Sequence, residues 1–231
     1  MKIILAAVLL ACGVLGADAQ FAGKLTYSIV SKDHTLYMVY YQNGNNARVE
    51  ARSLSNADSS VLNTQDTLLF DIAAKKTTHL VYKTGMAVIM MNTATFAQQA
   101  LVNSKSQSSV SVQTIGAETV NGYACTHYVI VGQTGKAISK RDVWVTTSLG
   151  TPGIQVVGSF LYYTPDFQQE QKLVAAGGAG VVVKTSISIP GFTTVMNLVS
   201  VDTKTPAARL FSVPSWYTVV DRSNMTVPAN F

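Results

Sequence analysis

Cysteine is nearly missing from this chain, which has two in 231 residues, Cys12 and Cys125. Cys12 sits in an apolar leader, so Cys125 stands alone beyond it and no intrachain disulfide staples the fold. Stability must come from a core. Charge is also sparse: 13% of residues are charged, against about 25% in an average soluble protein. The net charge of +5 is spread thinly, its densest groups being the pairs Lys75-Lys76 and Lys140-Arg141. A nucleic-acid protein gathers its basic residues on one face with aromatics between them, so no nucleic-acid partner is expected. A weak attraction to anionic lipid or polysaccharide fits the balance.

Catalytic and metal motifs are equally scarce. The three histidines, His34, His79 and His127, lack ligand-like spacing, which argues against zinc. No G-x-S-x-G elbow, P-loop or dinucleotide fingerprint occurs, and neither a cofactor nor a metal is expected. Among the acids Asp58, Asp66, Asp71, Glu118, Asp142, Asp166 and Glu170, nothing singles out a general acid/base pair.

What is present begins with a leader. Lys2 opens it, Ile3 to Gly16 is apolar, and Ala17-Asp18-Ala19 is an A-x-A signal that places cleavage between Ala19 and Gln20. That is a secretory signal peptide, too short and wrongly flanked for a transmembrane span. A lipoprotein signal is the rival reading, with Leu9-Leu10-Ala11 before a lipidated Cys12. Gly13 to Gly16 continues the apolar run where a polar tether would begin, which favours cleavage. Residues 20–231 are expected to form one exported domain, a monomer of the periplasm or cell envelope.

Beyond the leader the chain reads as β. Leu25, Tyr27 and Ile29 alternate with Lys24, Thr26 and Ser28, the period of a half-buried strand. Leu36 to Tyr41 is apolar on both faces, and Ala47 to Arg52 alternates again after the Asn43-Gly44 turn. Further strands are predicted at Leu68–Ile72, Thr78–Tyr82, Met86–Met91, Arg141–Thr147, Val181–Ile189 and Thr193–Val201. Helices are predicted at Ala94–Val102, with i,i+4 apolar pairs, and at Thr164–Ala176, opened by Thr164-Pro165-Asp166 and stopped by Gly177. The sum is a mainly β (α+β) chain, one curled antiparallel sheet of roughly 9–11 strands with short helices, since open sheets of that width curl.

The stretch Glu118 to Val131 holds Cys125, His127 and the hairpin signal Asn121-Gly122. Cys125 and His127, two apart on a strand, share a face with Tyr123, Val129 and Val131. A thiolate–imidazole pair is a nucleophile signature, but the apolar companions favour a packed face. The chain is therefore expected not to be an enzyme.

Its distinctive feature is apolar surplus. Tyr27, Tyr37, Val39, Tyr41, Phe70, Met90, Phe96 and Trp144 are the candidates to line a hydrophobic cavity. One apolar face of a curled sheet encloses an interior filled by helices, by side chains or by a ligand. An ordinary filled core fits the same pattern.

Several elements carry a resemblance. Phe21-x-Gly23, Ala47-Arg48-Val49-Glu50, Glu118-x-Val120-Asn121-Gly122-Tyr123-x-Cys125, Val143-Trp144-Val145-Thr146 and Phe211-x-Val213-Pro214-x-x-Tyr217 resemble an exported bacterial family of unknown function, common in Bacteroidetes. That family is similar to the periplasmic lipoprotein carriers (LolA/LolB-like). The resemblance implies a half-open β-barrel closed by helices, a lipid or lipoprotein acyl chain as partner, and Arg48 at the cavity rim. The alternative is an envelope interaction module with a filled core and no small ligand.

Overall fold

The computed structural model describes residues 20–55, 61–74, 76–91, 108–134, 137–153, 167–189 and 192–222. The leader at 1–19, the helix expected at 94–102 with Phe96, and the expected helix start at 164–166 lie outside the described residues. Twelve strands among the described residues form a single sheet. They are β1 (Gly23–Val30), β2 (His34–Asn43), β3 (Asn46–Ser55), β4 (Val61–Asp71), β5 (Lys76–Val81) and β6 (Met86–Met91). The second half supplies β7 (Ser108–Val120), β8 (Tyr123–Thr134), β9 (Ala137–Thr146), β10 (Val181–Ile189), β11 (Phe192–Asp202) and β12 (Thr218–Asp221).

The strands run β12-β6-β5-β4-β3-β2-β1-β11-β10-β9-β8-β7 across the sheet. Two meanders, β1 to β6 and β7 to β11, are joined where β1 pairs with β11. The sheet is mainly antiparallel, curled and open, with β12 and β7 at its edges. Its one parallel pair among the described residues is β12 on β6, where sequence reading expected antiparallel pairing throughout. The β7–β8 hairpin turns at Asn121-Gly122, whose φ values of 51° and 82° are the positive pair that a two-residue turn demands.

Directly opposed residues of a ladder share a face, so the register sorts the side chains. One row runs Leu198–Tyr27–Met38–Ala51 through β11, β1, β2 and β3. Another runs Leu25–Tyr40–Val49–Leu68 through β1 to β4. The same face carries Met196, Val143, Tyr128 and Ile130, and all of these except Ala51 and Leu68 are buried.

The helix α1 (Phe167–Ala175) covers part of that face, packing on β7 and β8. Gly132 lets it come close, because a Cβ there would stand 3.0 Å from Gln169 Nε2. Leu173 is its fully buried anchor. As expected, α1 ends at a Gly177 cap: Gly178 N–H donates to the Leu173 carbonyl at 2.9 Å and Gly177 N–H to that of Val174 at 3.0 Å.

The opposite face is covered over its β2–β6 part by the segment after β11. Arg48 Nη1 donates to the Leu210 carbonyl at 2.9 Å, and Asn43 Nδ2 to that of Pro206 at 3.1 Å. Farther along, Val213 and Tyr217 pack with Leu69, Leu80 and Ala87 as a second, small core. This strap delivers Thr218 to the edge, where its N–H donates to the Gly85 carbonyl at 2.7 Å. Tyr82, expected to end β5, lies in a 3-10 turn, Tyr82–Thr84.

Candidate functional site

Strand register divides the candidate cavity residues between the two faces. Tyr27 and Phe70 lie on the helix-covered face, Phe70 through its pairing with Ala47 and, beyond it, Gln42. Tyr37, Val39 and Tyr41 lie on the other face, since they oppose Ser28, Thr26 and Lys24. Trp144 joins them there by way of Lys184, Asn197 and Ser28. Tyr37 is 44% exposed, and Lys24 Nζ stands 5.9 Å from the centre of the Tyr41 ring. Burial and the Glu50 charge raise the Tyr41 phenol above its ordinary pKa, while Arg48 acts in the other direction. Met90 holds its place on β6 opposite Thr77. Arg48 is on the strap-covered side, its Nε 2.6 Å from Glu50 Oε1, so it ties the strap to β3.

The helix-covered face is the apolar candidate. Its polar groups include Gln42, Arg141 opposite Ile130 and His79 opposite Leu68. Gln42 Oε1 accepts from the Tyr40 hydroxyl and, at 2.9 Å, from Gly153 N–H. Gln42 Nε2 donates to the Gly44 carbonyl at 3.2 Å. Among the described residues, the hydroxyls of Tyr27 and Thr194 are buried there without a hydrogen-bond partner.

On the opposite face the Cys125–His127 stretch meets neighbours from three strands. The His127 ring stacks on Trp144 with centroids 4.4 Å apart and planes inclined by 13°. His127 Nε2 lies 3.0 Å from Asp142 Oδ1, and Nδ1 lies 3.8 Å from Glu118 Oε2. A carboxylate only accepts, so this geometry places the hydrogen on Nε2. Trp144 Nε1 donates to Glu118 Oε2 at 2.6 Å, and Lys184 Nζ lies 4.7 Å from the centre of the indole. Lys140 Nζ adds an outer contact to Asp142 Oδ2 at 3.4 Å.

The cluster is built to hold a shape. Cys125 Sγ donates to the Tyr123 carbonyl at 3.4 Å, while His127 turns its nitrogens to carboxylates. A nucleophile and its base need direct hydrogen-bond reach, and the thiol is spent elsewhere. Burial pushes its pKa up and the Glu118 charge adds to that, outweighing a backbone hydrogen bond that lowers it. The nucleophilic thiolate is therefore scarce at neutral pH. Among the described residues, no group of three His, Cys, Asp or Glu side chains is arranged to hold a metal. The sequence signalled Cys125 and His127 by their shared face. It could not signal Asp142 and Trp144, which arrive through the β8–β9 register.

A third feature lies at the β6–β12 edge. Tyr82 and Trp216 meet edge to face with centroids 5.8 Å apart, and Trp216 leans on Tyr217 at 3.9 Å. Tyr82 is 66% exposed and Trp216 58%, a concentration of aromatic surface.

These features define a mainly β protein on one wide curled sheet, with an apolar helix-covered face and an ion-paired aromatic cluster behind it. The chain belongs to the family of the domain of unknown function DUF4412, whose match runs over residues 21–217. Comparison with curated proteins finds no match. Among solved structures, the chain is similar to LprF from Mycobacterium bovis, at 9% identity and a TM-score of 0.34 over 85% of this chain and 90% of that one. Among the described residues, no helix is long and apolar enough to cross a membrane.

Proposed function

We propose that this is an exported protein of the cell envelope that binds a lipid or lipoprotein acyl chain without catalysing a reaction. It would act as a carrier in the manner of the LolA/LolB-like proteins, which its sequence elements resemble. The observation that supports the reading is the apolar face itself. Buried apolar side chains follow one another across β3, β2, β1, β11, β10, β9 and β8, with α1 packed against the β7–β8 end of that face. An acyl chain laid along such a face gains about 0.8 kcal/mol per buried CH₂, and a few polar groups suffice to orient it. The test is organic extraction of the protein purified from its own envelope, read by mass spectrometry. Bound lipid is the expected result. An empty protein that also fails to bind a fluorescent fatty acid sinks the carrier reading.

The Tyr82–Trp216 edge favours a second reading, an envelope module that docks another protein. Exposed Trp and Tyr are the residues that anchor interfaces. Under this reading, Tyr82→Ala with Trp216→Ala abolishes a crosslink formed in cells by the wild type and leaves lipid content unchanged. An unaltered crosslinking pattern rejects it.

A further inference from the structure

Tyr27 lies within the apolar face and carries an unsatisfied hydroxyl. The side chain is fully buried on β1, with Leu198 and Met38 as its cross-strand neighbours. Its hydroxyl has no hydrogen-bond partner among the described residues. A buried hydroxyl left unpaired is destabilising, and native folds nearly always supply a partner. This fold does so for the tyrosine alongside: the Tyr40 hydroxyl, on the same face, donates to Gln42 Oε1. Phenylalanine would fill the Tyr27 position with no unpaired group. Thr194 Oγ1, on β11, is a second unpaired hydroxyl on that face.

We infer that the Tyr27 hydroxyl is the polar anchor of the acyl ligand, donating a hydrogen bond to an ester carbonyl oxygen. The inference rests on the lipid-binding reading and adds the ligand's chemistry to it. The donor role follows from the surroundings. Burial, with Tyr40 adding to it, raises the phenol far above its ordinary pKa, so the O–H keeps its proton at any physiological pH. At Tyr27 an ester carbonyl fits better than a carboxylate, because its row holds Leu198, Met38 and Ala51 and no cation, and the Arg141 of that face stands three strands away on β9. Bringing an ionised carboxylate into that row would bury an unpaired charge, which is far costlier than burying a neutral carbonyl.

The experiment compares the wild-type protein with Tyr27→Phe in two measurements. One is the thermal midpoint of the free protein, and the other is affinity for methyl palmitate, palmitate and diphenylhexatriene, a probe without oxygen. The free variant is expected to melt at or above the wild-type temperature, since it loses no hydrogen bond. Its affinity for methyl palmitate should fall about three- to tenfold, the size of one neutral hydrogen bond, with diphenylhexatriene unaffected. A midpoint lowered by several degrees shows that the hydroxyl has a partner in the free protein, and overturns the inference. Equal affinity of both proteins for the ester overturns it while leaving lipid binding intact. A loss confined to palmitate replaces the ester by a carboxylate and overturns the neutral acceptor. If wild type binds none of the three probes, the lipid-binding reading falls and takes the anchor with it.

Discussion

Gly23→Ala is expected to cost about 3–5 kcal/mol, as backbone strain and a steric clash add together. Gly23 opens β1 with φ at +144°, a conformation that L side chains rarely adopt. A Cβ there would stand 2.3 Å from the Asp202 carbonyl oxygen and 3.1 Å from the Phe21 ring. The nearer obstacle is backbone, held by the β1–β11 ladder through the Lys24–Asp202 pair, so it cannot swing aside as a flexible side chain would. That ladder is also where the two meanders meet. Domains are stable by about 5–15 kcal/mol, so a loss of this size removes a large share of the total. Urea unfolding followed by circular dichroism measures it. Gly44→Ala is the control: Gly44 also has positive φ, at +56°, but a Cβ there would meet nothing within 4 Å. Its cost should be the conformational part alone, roughly 1–2 kcal/mol. Equal losses at the two positions would refute the role given to the Asp202 carbonyl.

Alternation made much of this sheet legible. β1 and β3 each alternate apolar and polar residues, and that alternation marks Lys24 to Ile29 within β1 and Ala47 to Arg52 within β3, which runs on to Ser55. β7 was missed along most of its length because Ser, Gln and Thr fill it, and it is an edge strand that needs little apolar surface. The first half of β4, Val61 to Asp66, is hidden by Asn63, Thr64, Gln65 and Asp66. β12 has four residues, too few for a period, and its parallel pairing depends on a strap whose course no local pattern encodes.

The candidate site was less legible than the sheet. In β2 every residue from Leu36 to Tyr41 is apolar, so composition cannot say which half joins Tyr27. The β1–β2 register decides, placing Met38 and Tyr40 on the Tyr27 face and Tyr37, Val39 and Tyr41 on the other. The Glu118–Cys125 pairing, by contrast, follows from the two-residue turn at Asn121-Gly122, since counting outward from Val120 and Tyr123 pairs them. A register fixed by a tight turn can be read from sequence. One fixed by distant strands cannot.

Trp144→Ala is expected to be the second large loss, about 3–5 kcal/mol for a mostly buried tryptophan. The indole is 9% exposed and carries three further contacts: the stack on His127, the Glu118 hydrogen bond and the Lys184 ammonium over its ring. Trp144→Phe separates these. It keeps an aromatic ring for His127 and Lys184 but removes the N–H, so its additional loss should reflect the Glu118 bond, on the order of 1.5–3 kcal/mol for a hydrogen bond to a charged group. A double-mutant cycle of His127→Ala with Trp144→Ala should show coupling of about 0.5–1.5 kcal/mol from the stacked pair. His127 lies between Asp142 and Glu118 while resting on the indole, so losing the indole removes the surface that sets its orientation. Additive losses in the cycle would mean that His127 is held by its carboxylates alone. Clear coupling would tie His127 and Trp144 into one unit that pins β8 to β9.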